Sequence, residues 1–132
     1  MRADSPNWVV LGAPASPAEA AALDQLREVL DDDGLTRAWA NLTFIDRNGR
    51  LGEIDVLLLT RRGFFVVELK GWHGTLTGNQ QTWNLTTPGG TRSAKNPYLL
   101  TDNKAKRLSG LLKELSPHAF LPYVGGGCCT DL

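Results

Sequence analysis

The sequence predicts an α/β domain: a helix, a three-stranded antiparallel meander, a crossover helix and a fourth strand. Two stretches repeat apolar residues at helical spacing, around Leu23 and around Leu108. Between them lie three β-rich runs, joined by Asn48-Gly49 and by the short Thr60–Gly63 link. The chain has 132 residues, the size of one domain. With 42% hydrophobic and 21% charged residues, it is neither disordered, collagen-like nor disulfide-dense. The longest aliphatic run, Val56-Leu57-Leu58-Leu59, falls far short of the ~18 apolar residues of a membrane span. No basic-then-apolar leader opens the chain, so the expected compartment is the cytoplasm and no membrane partner is expected.

Residues 1–15 read as a loose arm around Trp8-Val9-Val10-Leu11, with room for one short strand. The domain proper is expected over 16–124. The first helix opens at Ser16-Pro17-Ala18-Glu19: Ser16 is an N-cap, Pro17 suits the first helical position, and Glu19 completes a capping box. Ala22, Leu23, Leu26 and Leu30 form its apolar stripe, and Gly34 is its expected stop. Asp31-Asp32-Asp33 sits unfavourably at the negative end of that helix. The meander strands are Arg37–Ile45, Glu53–Leu59 and Phe64–Lys70. In the first turn, Asn48 and Gly49 both tolerate positive φ. Residues Gly74–Thr77 and Thr82–Thr86 suggest a further small hairpin, which Pro88-Gly89-Gly90 breaks off. A second helix is expected from Thr101 to Leu115, with the stripe Ala105, Leu108, Leu111, Leu112 and Leu115. Phe120–Val124 reads as the fourth strand, and 125–132 as a flexible tail, the cut end of a longer chain whose other domains would be its partners.

Charge is balanced overall but not locally. Residues 1–60 hold five arginines against ten acids, and 61–132 hold nine basic residues against four acids. Arg92, Lys95, Lys104, Lys106, Arg107 and Lys113 form a basic stretch interrupted only by Asp102. Such a stripe either steers toward a polyanion or solvates a helix face. Cys128 and Cys129 are adjacent, a poor geometry for a disulfide, and lack zinc-site spacing, so no function is assigned to them. His73 and His118 have no ligand partner nearby in sequence, and the sequons at Asn41 and Asn84 have nothing that routes them to secretion.

The chemistry concentrates in Gly52-Glu53-Ile54-Asp55 and Glu68-Leu69-Lys70. Regular alternation would put Ile54, Val56 and Leu58 on one face and Glu53, Asp55 and Leu57 on the other. A two-residue turn at Arg61-Arg62 would set Asp55 opposite Glu68 and Glu53 opposite Lys70. A three-residue loop ending in Gly63 would separate Asp55 and Glu68 onto opposite faces. Two facing carboxylates repel, and a divalent cation with hard oxygen ligands, Mg2+ or Mn2+, would offset that. Such a cation can generate a nucleophile from water, and Lys70 on the same face can orient that water or stabilise phosphate charge. The alternative is a same-face salt bridge on an exposed strand. Glu19 lies on the helix stripe facing the sheet, where either the capping box or the metal site can use it.

Taken together, Glu19, Gly52–Asp55, Gly63–Lys70, Gly74–Gly78 with Trp83, Asn96-Pro97 and Asn103–Leu108 make the sequence resemble the NERD domain. This nuclease-related domain is placed in the PD-(D/E)xK nuclease superfamily. The resemblance implies a PD-(D/E)xK nuclease-like core. It also implies Asp55 and Glu68 as metal ligands with the Leu69 carbonyl as a third, Lys70 as the catalytic lysine and Glu19 as the first-helix acid. Where the family often carries Gln after Asn-Pro, this chain has Leu99-Leu100-Thr101. The string is also similar to the amino-terminal part of serine/threonine kinases of phage-growth-limitation and BREX-type defence systems, although no kinase motif is present. The expected function is metal-dependent hydrolysis of DNA phosphodiester bonds in phage defence, an endonuclease-type activity. The alternative is a catalytically weak or inactive nucleic-acid-binding or regulatory module of a larger defence kinase, and a third reading is a pure interaction domain. The basic stretch, Arg92 to Lys113, is the expected DNA contact.

Overall fold

The computed structural model describes residues 1–70, 75–118 and 123–129. Its main sheet is mixed, built from β1 (Trp8–Val10), β2 (Arg37–Ile45), β3 (Leu51–Thr60), β4 (Gly63–Leu69) and β8 (Val124–Cys129), in that spatial order. The expected meander β2-β3-β4 is antiparallel, and β1 and β8 flank it in parallel. Helix α1 (Pro17–Val29) packs Leu23 and Leu26 on Ala38, Ala40, Val56 and Val67. Helix α2 (Pro97–Leu115) packs Ala105 and Leu108 on Ile54, Leu57 and Val66 on the other side. Covering both faces explains why β3 and β4 read as nearly unbroken apolar runs. A second, antiparallel sheet holds β5 (Thr75–Gly78), β6 (Thr82–Thr87) and β7 (Gly90–Lys95).

The register that matters for chemistry is the two-residue one. Thr60 pairs with Gly63 across Arg61-Arg62, and the ladder runs back to Val56 opposite Val67. Gly63 is required here: it has φ 130° and a Cβ on it would stand 2.3 Å from the Tyr123 carbonyl oxygen, which accepts the Phe64 N–H at 2.7 Å. The β2–β3 turn is longer than Asn48-Gly49 suggested. Arg47 and Asn48 form its centre, Gly49 alone takes positive φ (79°), and the Asp46 carboxylate accepts the N–H groups of Asn48 and Arg50, both at 2.9 Å.

Several expectations need correcting. Helix α1 ends at Val29, not at Gly34; the acidic run lies beyond it. Asp32 accepts from the Ser5 hydroxyl (3.1 Å), and Asp33 caps the N–H groups of Leu35 and Thr36. Helix α2 starts four residues before Thr101, because Asn96 caps the Tyr98 N–H and Pro97 takes the first helical position. Leu115, assigned to the stripe, is 69% exposed. Pro88-Gly89 turns the chain into β7 instead of breaking it. The last strand is Val124–Cys129, so residues 125–129 are sheet and not tail; of the expected strand Phe120–Val124, residues 120–122 lie outside the described residues. Of the glycines that hide β8, Gly126 serves close packing: a Cβ on it would sit 2.9 Å from Thr101 of α2.

Strand alternation also fails at one point. Ala38 and Ala40 face α1, but Leu42 and Phe44 pack on the α2 side. Across the ladder Val56 faces α1 while Ile54 joins Leu57 on the α2 side, so Ile54 and Val56 do not share a face. The cause is Asn41, with φ 56°, between the flanking pairs Ala40–Val56 and Leu42–Ile54. Its side-chain amide donates to the Gly12 carbonyl at 2.9 Å, holding the kink against the N-terminal arm.

Candidate active site

Asp55 sits at this kink, where β3 and β4 stop pairing. Its Oδ2 accepts the Leu69 N–H at 2.9 Å, substituting a carboxylate for the next rung of the ladder. Glu68, the next residue of β4 after Val67, is 5% exposed. Its Oε1 accepts from the Lys104 ammonium, and its Oε2 lies 3.8 Å from Lys70 Nζ. Burial pushes the Glu68 carboxyl above its ordinary range. The Lys104 hydrogen bond opposes this, the Asp55 charge adds to it, and the Lys104 and Lys70 charges oppose it again. Asp55 and Glu68 are not a ladder pair; Asp55 reaches β4 through the Leu69 N–H, beside Glu68 and its neighbour Lys70. Glu53 and Lys70 are not a ladder pair, since the ladder ends at Val56 and Val67. Beside the site the register sets Cys128 next to Glu68 and Cys129 next to Leu69.

Lys104 is the member that the sequence reading placed elsewhere. The sequence groups it with the basic stretch expected to contact DNA. In fact Thr101, Lys104, Ala105 and Leu108 follow helical spacing, with Thr101, Ala105 and Leu108 buried. Counting Thr101 into the stripe would have shown Lys104 aimed at the sheet.

A cleft of about 350 Å³ opens on the other side of Asp55, lined among others by Glu19, Asn41, Glu53 and Asp55. Glu19 serves the cap as well: its N–H donates to Ser16 Oγ at 3.1 Å and its carboxylate accepts the Ala15 N–H. The capping and site readings of Glu19 are therefore compatible.

The basic stretch does not act as one surface. Arg107 is an internal clamp: Nε donates to Asp46 Oδ2 at 2.8 Å, Nη2 donates to the Leu51 carbonyl at 2.8 Å, and the guanidinium lies 5.5 Å from the Phe44 ring centroid. Asp46 is held below the usual carboxylate range, first by the Arg50 N–H and then by Arg107. Lys106 pairs with Asp102 at 2.9 Å on the exposed side of α2, while Arg92, Lys95 and Lys113 are exposed. His118 is exposed, and His73 lies outside the described residues.

Among the described residues no cluster of three His, Cys, Asp or Glu side chains forms a ready metal cage, and no helix is long and apolar enough to cross a membrane. What remains is a carboxylate pair with two ammonium groups at the point where two central strands separate, in a mixed α/β domain. That arrangement has the character of a nuclease-like domain. The pattern of the nuclease-related domain, NERD, matches residues 15–125, and the chain belongs to this family. It is also similar to the probable kinase PglW of Streptomyces coelicolor, 39% identical over 127 residues. The match takes in 95% of this chain and 8% of the relative, so the chain spans a small part of that protein's length. No solved structure matches the chain.

Proposed function

We propose that this domain is a PD-(D/E)xK-type nuclease that hydrolyses DNA phosphodiester bonds with Mg2+ or Mn2+, acting in the cytoplasm within a larger phage-defence protein of the phage-growth-limitation or BREX type. The observation that carries the reading is the meeting of Asp55, Glu68 and Lys70 where β3 and β4 part. The donor chemistry suits a hard cation: Asp55 gives its Oδ2 to the Leu69 N–H and keeps Oδ1, and Glu68 would supply a second carboxylate by exchanging an ammonium contact for the cation. Asp55, Glu68 and the Leu69 carbonyl would hold the cation, with Glu19 facing the cleft that Asp55 lines.

When bound, the cation supplies a more acidic water and charge stabilisation at the phosphate. The remaining work falls to the chain. The Leu69 N–H orients Asp55 through its Oδ2. Lys70, 3.8 Å from Glu68, orients the attacking water or neutralises charge that develops on the phosphate oxygens. Lys104 hydrogen-bonds Glu68 and opposes the upward push that burial gives this carboxyl. The exposed Arg92, Lys95, Lys106 and Lys113 contact the phosphate backbone.

A second reading is a catalytically inactive regulatory module of a larger defence kinase. It is favoured by Lys104 lying directly on Glu68 and by Leu99-Leu100-Thr101 standing where the family often has Gln. The test is a nuclease assay on linear, supercoiled and single-stranded DNA with Mg2+ or Mn2+, beside Asp55→Ala. Metal-dependent cleavage absent from Asp55→Ala supports hydrolysis; no cleavage by the folded wild type supports the regulatory reading.

A further inference from the structure

We propose that the β2–β3 turn and the outer face of α2 form a groove for the DNA backbone, in which Arg47 and Arg50 seat phosphates flanking the candidate active site. The inference rests on the nuclease reading and adds residues that lie outside the basic stretch.

Two adjoining clefts share Lys106 and Arg107. One, of about 210 Å³, is lined by Asp46, Arg47, Lys106, Arg107 and Gly110, and the other, of about 530 Å³, by Arg50, Lys104, Lys106 and Arg107. Five basic side chains border the two clefts; Lys104 is paired with Glu68, Lys106 with Asp102, and Arg107 with the one acid of their lining, Asp46. That acid is already engaged by Arg107 and by two backbone N–H groups of its own turn. Arg47 and Arg50 are exposed and form no ion pair among the described residues.

The two arginines are also rigidly based. The Asp46 cage fixes the turn, and Arg107 ties it to α2 through the Leu51 and Arg50 carbonyls. Gly110 leaves space above the helix, where Arg47 lies with Nε 3.6 Å from the position of an absent Cβ. Guanidinium groups anchored on an ordered turn suit bidentate contacts to phosphate. At its inner end the groove reaches Lys104, which touches Glu68. A phosphodiester chain lying along it arrives at the carboxylate pair, with the acidic cleft of Glu19 and Glu53 beyond. No base-reading element is needed, so the contact is to backbone and independent of sequence.

The test is fluorescence anisotropy with a labelled duplex DNA and metal removed by EDTA, over a range of salt. Arg47→Gln/Arg50→Gln is compared with Arg61→Gln/Arg62→Gln, which removes equal charge from exposed positions at the opposite end of β3. Two lost phosphate contacts should weaken binding on the order of tenfold to a hundredfold near 0.1 M salt and flatten the log–log salt slope by about 1.8. The Arg61/Arg62 variant should bind like the wild type. The single variants Arg47→Gln and Arg50→Gln should each flatten the slope by about 0.9, which keeps the test available should the double variant misfold. Equal losses in both double variants, or no loss in either, would overturn the groove. Tighter Arg47- and Arg50-dependent binding of an RNA of the same length would overturn DNA as its occupant. If the wild type binds through Arg47 and Arg50 yet cleaves nothing with Mg2+ or Mn2+, the groove stands and the hydrolytic reading falls.

Discussion

Replacing Lys104 by Met removes the ammonium from a carboxylate that is 5% exposed, while keeping the length of the side chain. A net hydrogen bond to a charged group contributes about 1.5–3 kcal/mol. Lys104 keeps a quarter of its side chain in solvent and Lys70 remains near Glu68, which favours the lower half of that range, about 2 kcal/mol. At roughly 2.1 cal/mol/K of unfolding entropy per residue, this lowers Tm by about 7 °C. The pH dependence has a definite sign. The folded Glu68 carboxyl is raised above its unfolded value, so the native state binds its proton more tightly and stability falls as pH rises from the unfolded toward the folded value. Losing Lys104 raises it further and widens that interval. The deficit of Lys104→Met is therefore largest at alkaline pH and shrinks as pH falls below the ordinary glutamate value, where Glu68 becomes protonated in both states. Thermal unfolding followed by circular dichroism across this range measures it, with Lys106→Met as a surface control that shifts Tm by about 2 °C or less. A Lys104→Met Tm equal to wild type at pH 8, or a deficit that does not change with pH, refutes the role given to Lys104.

Three further perturbations separate parts of the account. Asp55→Asn keeps an acceptor for the Leu69 N–H and removes repulsion with Glu68, so Tm stays equal or rises while calorimetry shows Mg2+ or Mn2+ binding lost. Arg107→Met releases the clamp between α2 and the β2–β3 turn; its Tm should fall well below those of Lys113→Met and Arg92→Met, whereas three equal values would return Arg107 to the exposed basic residues. Asn41→Ala loses the bond to Gly12 and leaves a side chain in left-handed geometry, with a cost of about 2 kcal/mol; Asn41→Gly should recover part of it, and equal urea midpoints for the two would remove strain from the explanation.

What could be read in the sequence was what neighbouring residues decide. Ser16-Pro17 opened α1, and the Arg61-Arg62 turn set the β3–β4 register as far as Val56 and Val67. What could not be read depended on distant partners. The Asn41 kink needs the Gly12 carbonyl, and Lys104 finds Glu68 across 36 residues. Strand β7 carries Gly-Thr-Arg-Ser-Ala-Lys, all exposed, and so has no apolar alternation to announce it. Strand β8 is glycine-rich where α2 crowds it, and glycine reads as a break unless that neighbour is known. The basic stretch looked uniform because sequence does not show that Asp46 holds Arg107.

The central claim is that the carboxylate pair at the β3–β4 fork drives phosphodiester hydrolysis. Glu68→Gln tests it most directly, since the amide keeps the size of Glu68 and retains a carbonyl acceptor for Lys104. Cleavage of supercoiled plasmid with Mg2+ or Mn2+ is measured for this variant and for wild type, both checked for the same fold. The wild type should nick in a manner that EDTA abolishes, and Glu68→Gln should nick at least about a hundredfold more slowly. Equal cleavage by the two proteins, or none by the wild type on any DNA, would contradict it.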